Sequence, residues 1–181
     1  MTAYNETCAA ISMVYLFERM FLRHGESKYI DCMERTLYNG VISGMSMDGG
    51  RFFYPNPLSS DGKYKFNADG NTTRQPWFGC ACCPSNLCRF IPSVPGYLYG
   101  VKDNNIYVNL FAGNTSTIKV NGKDVVLEET TEYPWNGDIK IAVKKSGVKN
   151  ANLLVRIPGW VRNQVVPSDL YKYSDAEKPA Y

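Results

Sequence analysis

The chain has 181 residues, of which 44% are hydrophobic and 13% aromatic, and its formal net charge is only +3. This length suits one compact domain or two small ones, and the hydrophobic fraction is sufficient to form a core. The charged residues form no basic cluster, which argues against a dedicated nucleic-acid surface. No apolar run reaches the roughly 18–20 residues of a membrane span, so we expect neither nucleic acid nor a membrane as a partner.

Helical spacing dominates the first hundred residues. Apolar residues predict a first helix over 6–23 that is apolar on nearly all sides, as is typical of a helix inside a larger assembly. Asn5 is a candidate N-cap, and His24-Gly25 marks the end, where His24 is expected to cap the helix or face solvent.

A second helix is predicted from Tyr29 to Ile42, where apolar residues recur at steps of three and four, with Ser27 as its N-cap. The short glycine-containing turn before it predicts an antiparallel pair of helices. Residues 59–75 are polar and predict a surface loop. Pro84 suits the first position of a short third helix over 84–91.

After about residue 100 the period changes to that of β-strands. Apolar residues alternate in short runs, and Asn121-Gly122 and Asn136-Gly137 each predict a two-residue hairpin turn. Such short, regularly spaced strands are typical of an antiparallel β-sandwich. The sequence therefore predicts an α-then-β chain, with one domain over 1–100 and a second over 101–181.

Three of the six cysteines lie within four residues, in the stretch "GCACCPSN". Adjacent cysteines are poor disulfide partners for each other, and a chain of this length and apolar content does not need disulfides to fold. If Pro84 opens the third helix, Cys83 is its N-cap and Cys82 precedes it, so the helix dipole lowers the pKa of both thiols.

Adjacent cysteines can ligate one metal ion, and the motif "ETC" offers Glu6 and Cys8 as further ligands where the first helix begins. Zinc with thiolate ligands favours four tetrahedral donors, and these residues supply that number. Spacing alone leaves two interpretations open. The cysteines form a metal or catalytic site, or they are small buried apolar residues, as free cysteines often are.

A resemblance narrows these alternatives. The segments "TAYNETCAAIS", "MERTLYNGVISGMSMDGGRFFYPNPL", "WFGCACCPSN" and "LLVRIPGW" occur in this order along the chain. In these segments the chain resembles the zinc-thiolate β-L-arabinofuranosidases of glycoside hydrolase family 127. The resemblance implies the last helices of an (α/α)6-barrel catalytic domain followed by part of an antiparallel β-sandwich, incomplete at both ends.

The same resemblance implies residue roles. Zn²⁺ would be held by Glu6, Cys8, Cys82 and Cys83, and Cys82 would be the nucleophile of a retaining glycosidase. Two positions that line the family's sugar pocket match Glu34 and Tyr54. The family's general acid/base glutamate falls upstream of Met1, so we expect this chain to be a fragment that is inactive alone.

The expected parent enzyme removes β-L-arabinofuranosyl groups from plant-derived oligosaccharides or glycoconjugates, with the missing N-terminal part of the same enzyme as a further partner. The alternative is a zinc-stabilised structural or carbohydrate-binding module without catalysis. Reduced thiols favour a cytoplasmic location. Cys80 is expected to support the zinc site, and Cys32 and Cys88 are expected to be core thiols.

Overall fold

The structure, a computed structural model, describes residues 3–174, in which helices precede strands as predicted. The helices are α1 (Thr7–His24), α2 (Ser27–Thr36) and α3 (Cys82–Phe90), and the strands are β1 (Tyr99–Lys102), β2 (Asn105–Val108), β3 (Asn114–Val120), β4 (Lys123–Thr131), β5 (Ile139–Ser146) and β6 (Asn152–Val155). Residues 1–2 and 175–181, at the ends of the two predicted domains, lie outside the described residues. The boundary near residue 100 stays a prediction. No helix of the described part is both long and apolar enough to cross a membrane.

Helix α1 ends where the sequence predicts. Gly25 adopts the left-handed conformation, with φ 70°, and donates its N–H to Phe21 at 2.7 Å, as a helix C-cap does. His24 is exposed in the last turn, in agreement with its predicted role. The N-cap is Glu6 rather than Asn5, because the helix begins at Thr7 and Glu6, with φ −66° and ψ 133°, is the extended residue directly before it. The apolar far face of α1 remains exposed, with Leu16 49% and Met13 41% accessible.

Helix α2 packs against α1 through buried Ile30 and Met33. Its N-cap is Glu26 and Ser27 is its first helical residue, so the predicted Ser27 cap is wrong by one position. The predicted helix to Ile42 also changes form, because a π-helical turn (Leu37–Val41) and a 3₁₀ turn (Ile42–Gly44) follow α2. A π turn holds one more residue per turn than an α-helix and is often found at functional sites.

The strands form two three-stranded sheets, ordered β1-β2-β6 and β3-β4-β5. Pairing is antiparallel except between β2 and β6, where the antiparallel prediction is wrong because β6 returns from the second sheet by a crossover and runs alongside β2. Ile106 of the first sheet shares one apolar cluster with residues of the second sheet, Ile118, Val120, Val125 and Leu127.

One of the two predicted hairpin turns is present. Asn121 and Gly122 both have positive φ, 49° and 77°, and join β3 directly to β4. The Asn136-Gly137 prediction is wrong, because residues 132–138 form a longer connection between β4 and β5. Within that connection the Tyr133-Pro134 peptide bond is cis.

Glu129 on β4 is a carboxylate inside the β region, with only 2% of its surface exposed. It accepts a hydrogen bond from the Tyr99 hydroxyl at 3.1 Å. Burial raises the pKa of Glu129 above its ordinary value, and burial also raises the pKa of Tyr99 to about 12. The raised Glu129 pKa means that folding favours the protonated acid.

The substitution Glu129→Gln should therefore stabilise the fold increasingly as the pH rises. Below the ordinary carboxyl pKa, folded and unfolded chains both carry the proton and the two proteins differ least. Above it the folded state binds more protons than the unfolded state, so the wild type loses stability, whereas the variant has no carboxyl group to titrate at this position. Urea unfolding of both proteins between pH 4 and 8 measures this difference. A difference that stays constant across this range contradicts the prediction.

Candidate metal centre

Two helix N-termini from distant parts of the chain meet at one point. Glu6 is the N-cap of α1 and Cys8 lies in its first turn, while Cys82 and Cys83 open α3. One ligand atom from each of these four side chains lies within 4.8 Å of all the others. The structure thus brings together the four residues predicted as metal ligands, in an arrangement that could hold a metal ion.

The distances between the donor atoms test which ion the cluster suits. The Sγ atoms of Cys8 and Cys82 are 3.0 Å apart, and Glu6 Oε1 is 3.8 Å from the Sγ of both Cys82 and Cys83. A tetrahedral zinc site with Zn–S bonds of about 2.3 Å places its donors about 3.7 Å apart. The two separations from Glu6 match this spacing and the Cys8–Cys82 separation is shorter, while the donor set of three thiols and one carboxylate suits a small thiophilic cation.

Helix α3 begins earlier than the sequence predicts. Its N-cap is Ala81, so Cys82 and Cys83 are the first two helical residues and Pro84 is the third. The predicted N-cap role of Cys83 is therefore wrong. Proline is tolerated throughout a first helical turn, because N–H groups there have no intrahelical acceptor, so Pro84 does not fix the first residue. Both thiols still lie at the positive end of the helix dipole.

Burial acts on the thiols in the opposite sense to the dipole. Burial raises the pKa of Cys83 well above its ordinary value, and the neighbouring Cys8 thiol raises it further. Burial is also the main cause of a raised pKa at Cys8, with a contribution from the thiol of Cys82. Without a cation, these two thiols therefore stay protonated at neutral pH.

Tyr54, one of the two residues predicted to line the sugar pocket, lies beside this cluster. Its hydroxyl donates to Cys80 Sγ at 3.9 Å, and a hydrogen bond with Cys82 is the main cause of its raised pKa. The ring packs edge-on against Phe78, with centroids 5.6 Å apart. Cys80 is exposed and outside the four-residue cluster.

The remaining cysteines differ from one another. Cys32 is half-buried, and burial raises its pKa. Cys88 is exposed, so its predicted place in the core is wrong. Leu87 and Phe90 point into the core from α3, and Cys88 lies on the opposite face of that short helix.

Glu34, the other predicted sugar-pocket residue, has its contacts elsewhere. It is 5% exposed, and its Oε1 lies 2.6 Å from Arg156 and accepts from the Tyr133 hydroxyl at 2.9 Å. The indole N–H of Trp160 donates to its Oε2 at 3.4 Å. The other arm of Arg156 pairs with Asp31 at 2.6 Å. This network joins α2 to the connection between β4 and β5 and to the segment after β6.

A cavity of about 680 Å³ opens beside this network. Glu34 lines it together with aromatic side chains, Tyr38, Tyr133, Trp160 and Tyr171. None of the four clustered ligands and neither Tyr54 nor Cys80 lines this cavity. Tyr54 therefore lies at the cysteine cluster, whereas Glu34 lines a cavity to which no residue of that cluster contributes.

Three buried polar residues near the cysteine cluster were not identified from the sequence. Thr7, between Glu6 and Cys8, is fully buried, and Asn56 donates to its hydroxyl at 2.9 Å. Asn67 is also buried and accepts the backbone N–H of Tyr54 at 2.8 Å. Asparagine outside helices and strands is normally a turn residue, so no signal in the sequence distinguished Asn56 and Asn67 from the other asparagines.

Comparison with known proteins gives two family matches along the chain. Residues 1–96 match the catalytic domain of GH127 β-L-arabinofuranosidases, and residues 105–175 match the middle domain of the same enzymes. A non-reducing end β-L-arabinofuranosidase from Bifidobacterium longum is 32% identical over 169 residues, which cover 89% of this chain and 25% of that protein.

Solved structures agree with these matches. A GH127 β-arabinofuranosidase is 58% identical with a TM-score of 0.89, over 98% of this chain and 27% of that one. A GH127 β-L-arabinofuranosidase from Geobacillus stearothermophilus T6 is 41% identical with a TM-score of 0.76, over 88% of this chain and 26% of that one. The chain thus spans about a quarter of the length of these relatives.

Replacing Arg156 by Met should destabilise the fold by about 3–5 kcal/mol, because Asp31 and Glu34 would remain buried without their cation. Arg162→Met is the matched control, since Arg162 is exposed and its loss should cost no more than about 0.5 kcal/mol. Equilibrium unfolding in urea measures both variants. Equal stability of the two variants would show that the buried network contributes nothing beyond a surface charge.

Proposed function

The chain belongs to the GH127 β-L-arabinofuranosidase family, and we propose that it supplies the thiol side of the active site of a retaining glycoside hydrolase. The observation that carries the proposal is the convergence of Glu6, Cys8, Cys82 and Cys83 on one point. The proposed substrates are β-L-arabinofuranosyl groups on plant-derived oligosaccharides or glycoconjugates. The proposed ion is zinc, held by these four residues.

A bound zinc ion would keep the thiols deprotonated at neutral pH and fix their direction. Among the three thiols, Cys82 is the proposed nucleophile. Cys83 is fully buried against the backbone carbonyl of Tyr54, 3.7 Å from its Sγ, so a sugar cannot approach it. Cys82 is only half-buried and faces the phenol of Tyr54 near exposed Cys80.

The proposed reaction proceeds by two displacements at the anomeric carbon. In the first, Cys82 Sγ forms a bond to that carbon as the bond to the leaving oxygen breaks, and a general acid protonates that oxygen. In the second, water replaces the sulfur after giving a proton to the same group, and the configuration is retained. We place that acid/base on a part of the protein outside this sequence.

Tyr54 is the proposed sugar contact on this side of the site. Its hydroxyl is a neutral donor beside Cys82 and Cys80, where a sugar hydroxyl next to the reacting carbon can accept from it. The predicted sugar contact of Glu34 stays a prediction. The contacts of its carboxylate with Arg156 and Tyr133 favour a role in joining the helices to the β region.

Cys82→Ala in the full-length protein should lower the hydrolysis of an aryl β-L-arabinofuranoside by about 10³-fold or more, because no other group replaces the attacking sulfur. Cys32→Ala is the control, since this half-buried thiol lies outside the cluster. Measuring the zinc content and melting temperature of each variant separates chemistry from folding. Turnover that survives while zinc and stability are lost would favour a purely structural zinc site.

The isolated 181-residue chain should release no measurable arabinose from the same aryl substrate, because the proposed general acid lies outside it. Its zinc content should nevertheless approach one ion per chain, since all four proposed ligands are present. Appreciable hydrolysis by the purified chain would contradict the placement of the acid.

A further inference from the structure

We propose that the hydroxyl of Thr7 and the amide of Asn56 form a buried clasp that sets the position of Glu6 and Cys8. Thr7 is 0% exposed and Asn56 is 6% exposed, and both lie next to the ligand pair rather than in it. They are therefore positioning residues. The inference rests on the metal site proposed above and concerns what holds one half of that site in place.

Asn56 connects three segments of the chain through its side chain. Its Nδ2 donates to Thr7 Oγ1 at 2.9 Å and to the carbonyl of Gly40 at 3.1 Å. The Ser43 hydroxyl shares its one hydrogen between Asn56 Oδ1 at 3.1 Å and the carbonyl of Asn39 at 2.8 Å. A carbonyl oxygen can only accept, so the bond to Gly40 fixes which end of the amide is the nitrogen. Both amide hydrogens and the amide oxygen are thus used.

The Thr7 hydroxyl links the oriented Asn56 side chain to the backbone at Phe53. It accepts from Asn56 and donates to the carbonyl of Phe53 at 3.1 Å. The Thr7 N–H donates to the carbonyl of Tyr54 at 2.9 Å, and the Asn56 N–H donates to Asn5 at 2.7 Å. The start of α1 is therefore held against the extended segment 53–56 by its backbone and by its one buried hydroxyl.

This segment also reaches the other half of the site. The carbonyl of Tyr54 that accepts from Thr7 lies 3.7 Å from Cys83 Sγ. A rotation of Thr7 would therefore move the residues on either side of it, Glu6 and Cys8, relative to the two cysteines of α3. Outer groups that orient metal ligands typically contribute 10- to 100-fold to metal affinity.

Two glycines allow the segment after α2 to approach α1 closely enough for the clasp to form. A Cβ at Gly44 would meet Thr7 Oγ1 at 2.9 Å, and a Cβ at Gly40 would meet the Ala10 side chain at 2.9 Å. Gly40 belongs to the π-helical turn after α2, and Gly44 ends the 3₁₀ turn that follows it. The unusual backbone after α2 thus approaches α1 at the clasp itself.

The test measures Co²⁺ binding by the full-length protein, through the absorption of thiolate-to-cobalt charge transfer, with two substitutions of one residue. Thr7→Val keeps the volume and loses the hydroxyl, and we expect Co²⁺ to bind at least about tenfold more weakly with an altered spectrum. Thr7→Ser keeps the hydroxyl and loses a methyl group, and we expect an affinity close to that of the wild type.

Asn114→Ala is the control for a general loss of stability. Asn114 is hydrogen-bonded to Tyr99 and to Ala112 in the β region, so its loss should lower the melting temperature without changing Co²⁺ affinity. If Thr7→Val does not fold, Ser43→Ala decides instead. It removes one donor to Asn56 and should weaken Co²⁺ binding by about threefold.

Four outcomes would overturn the clasp: unchanged Co²⁺ affinity in Thr7→Val, equal losses in Thr7→Val and Thr7→Ser, an equal loss in Asn114→Ala, or, where Thr7→Val does not fold, unchanged affinity in Ser43→Ala. A wild type that binds no Co²⁺ would instead refute the metal site on which the clasp depends. The two failures are therefore distinguishable.

Discussion

Four groups that can each carry a negative charge lie within 4.8 Å of one another, and the rest of the structure must make that proximity tolerable. A cation can do so by neutralising them, but only if the groups already converge in the folded chain. Convergence depends on two helix N-termini, because Glu6 and Cys8 begin α1 while Cys82 and Cys83 begin α3. The dipoles of both helices present their positive ends to the same point, which reduces the repulsion among the ligands.

A second cluster of buried charged side chains joins the helical part of the chain to its β region. The Arg156 guanidinium is 2% exposed and pairs with both Asp31 and Glu34 on α2. Because the partners are also nearly buried, the network resists sliding between α2 and the segment after β6. Helix α2 packs against α1, and the first turn of α1 carries Cys8 next to Glu6. The Arg156 network therefore helps to hold α1 in place through α2, without contacting Glu6 or Cys8.

Local patterns explain which parts of the fold and site could be predicted. The helix end at Gly25 and the hairpin at Asn121-Gly122 follow from short sequences whose conformations glycine permits, and both were predicted. The four candidate metal ligands could be named because "ETC" and the cysteine cluster offered the right residue types and the resemblance matched both motifs, and the structure brings these residues together. The Asn136-Gly137 turn failed because a seven-residue connection, 132–138, joins β4 to β5 in place of a two-residue turn. The partners of Glu34 could not be predicted, since Arg156 lies 122 residues away and no local rule links them.

The π-helical turn Leu37–Val41 has a consequence for which chain lengths this family can accept. A π turn absorbs one residue more than an α-helical turn, so deleting a single residue there would close it to a regular turn while the chain after it keeps nearly the same direction. The carbonyl of Gly40, which accepts from Asn56, lies within the wide turn and would change its position when the turn closes. Surface loops such as residues 59–65 can change length freely by comparison. The extra residue of the π turn is therefore tied to the contact with Asn56, whereas the length of that loop is not.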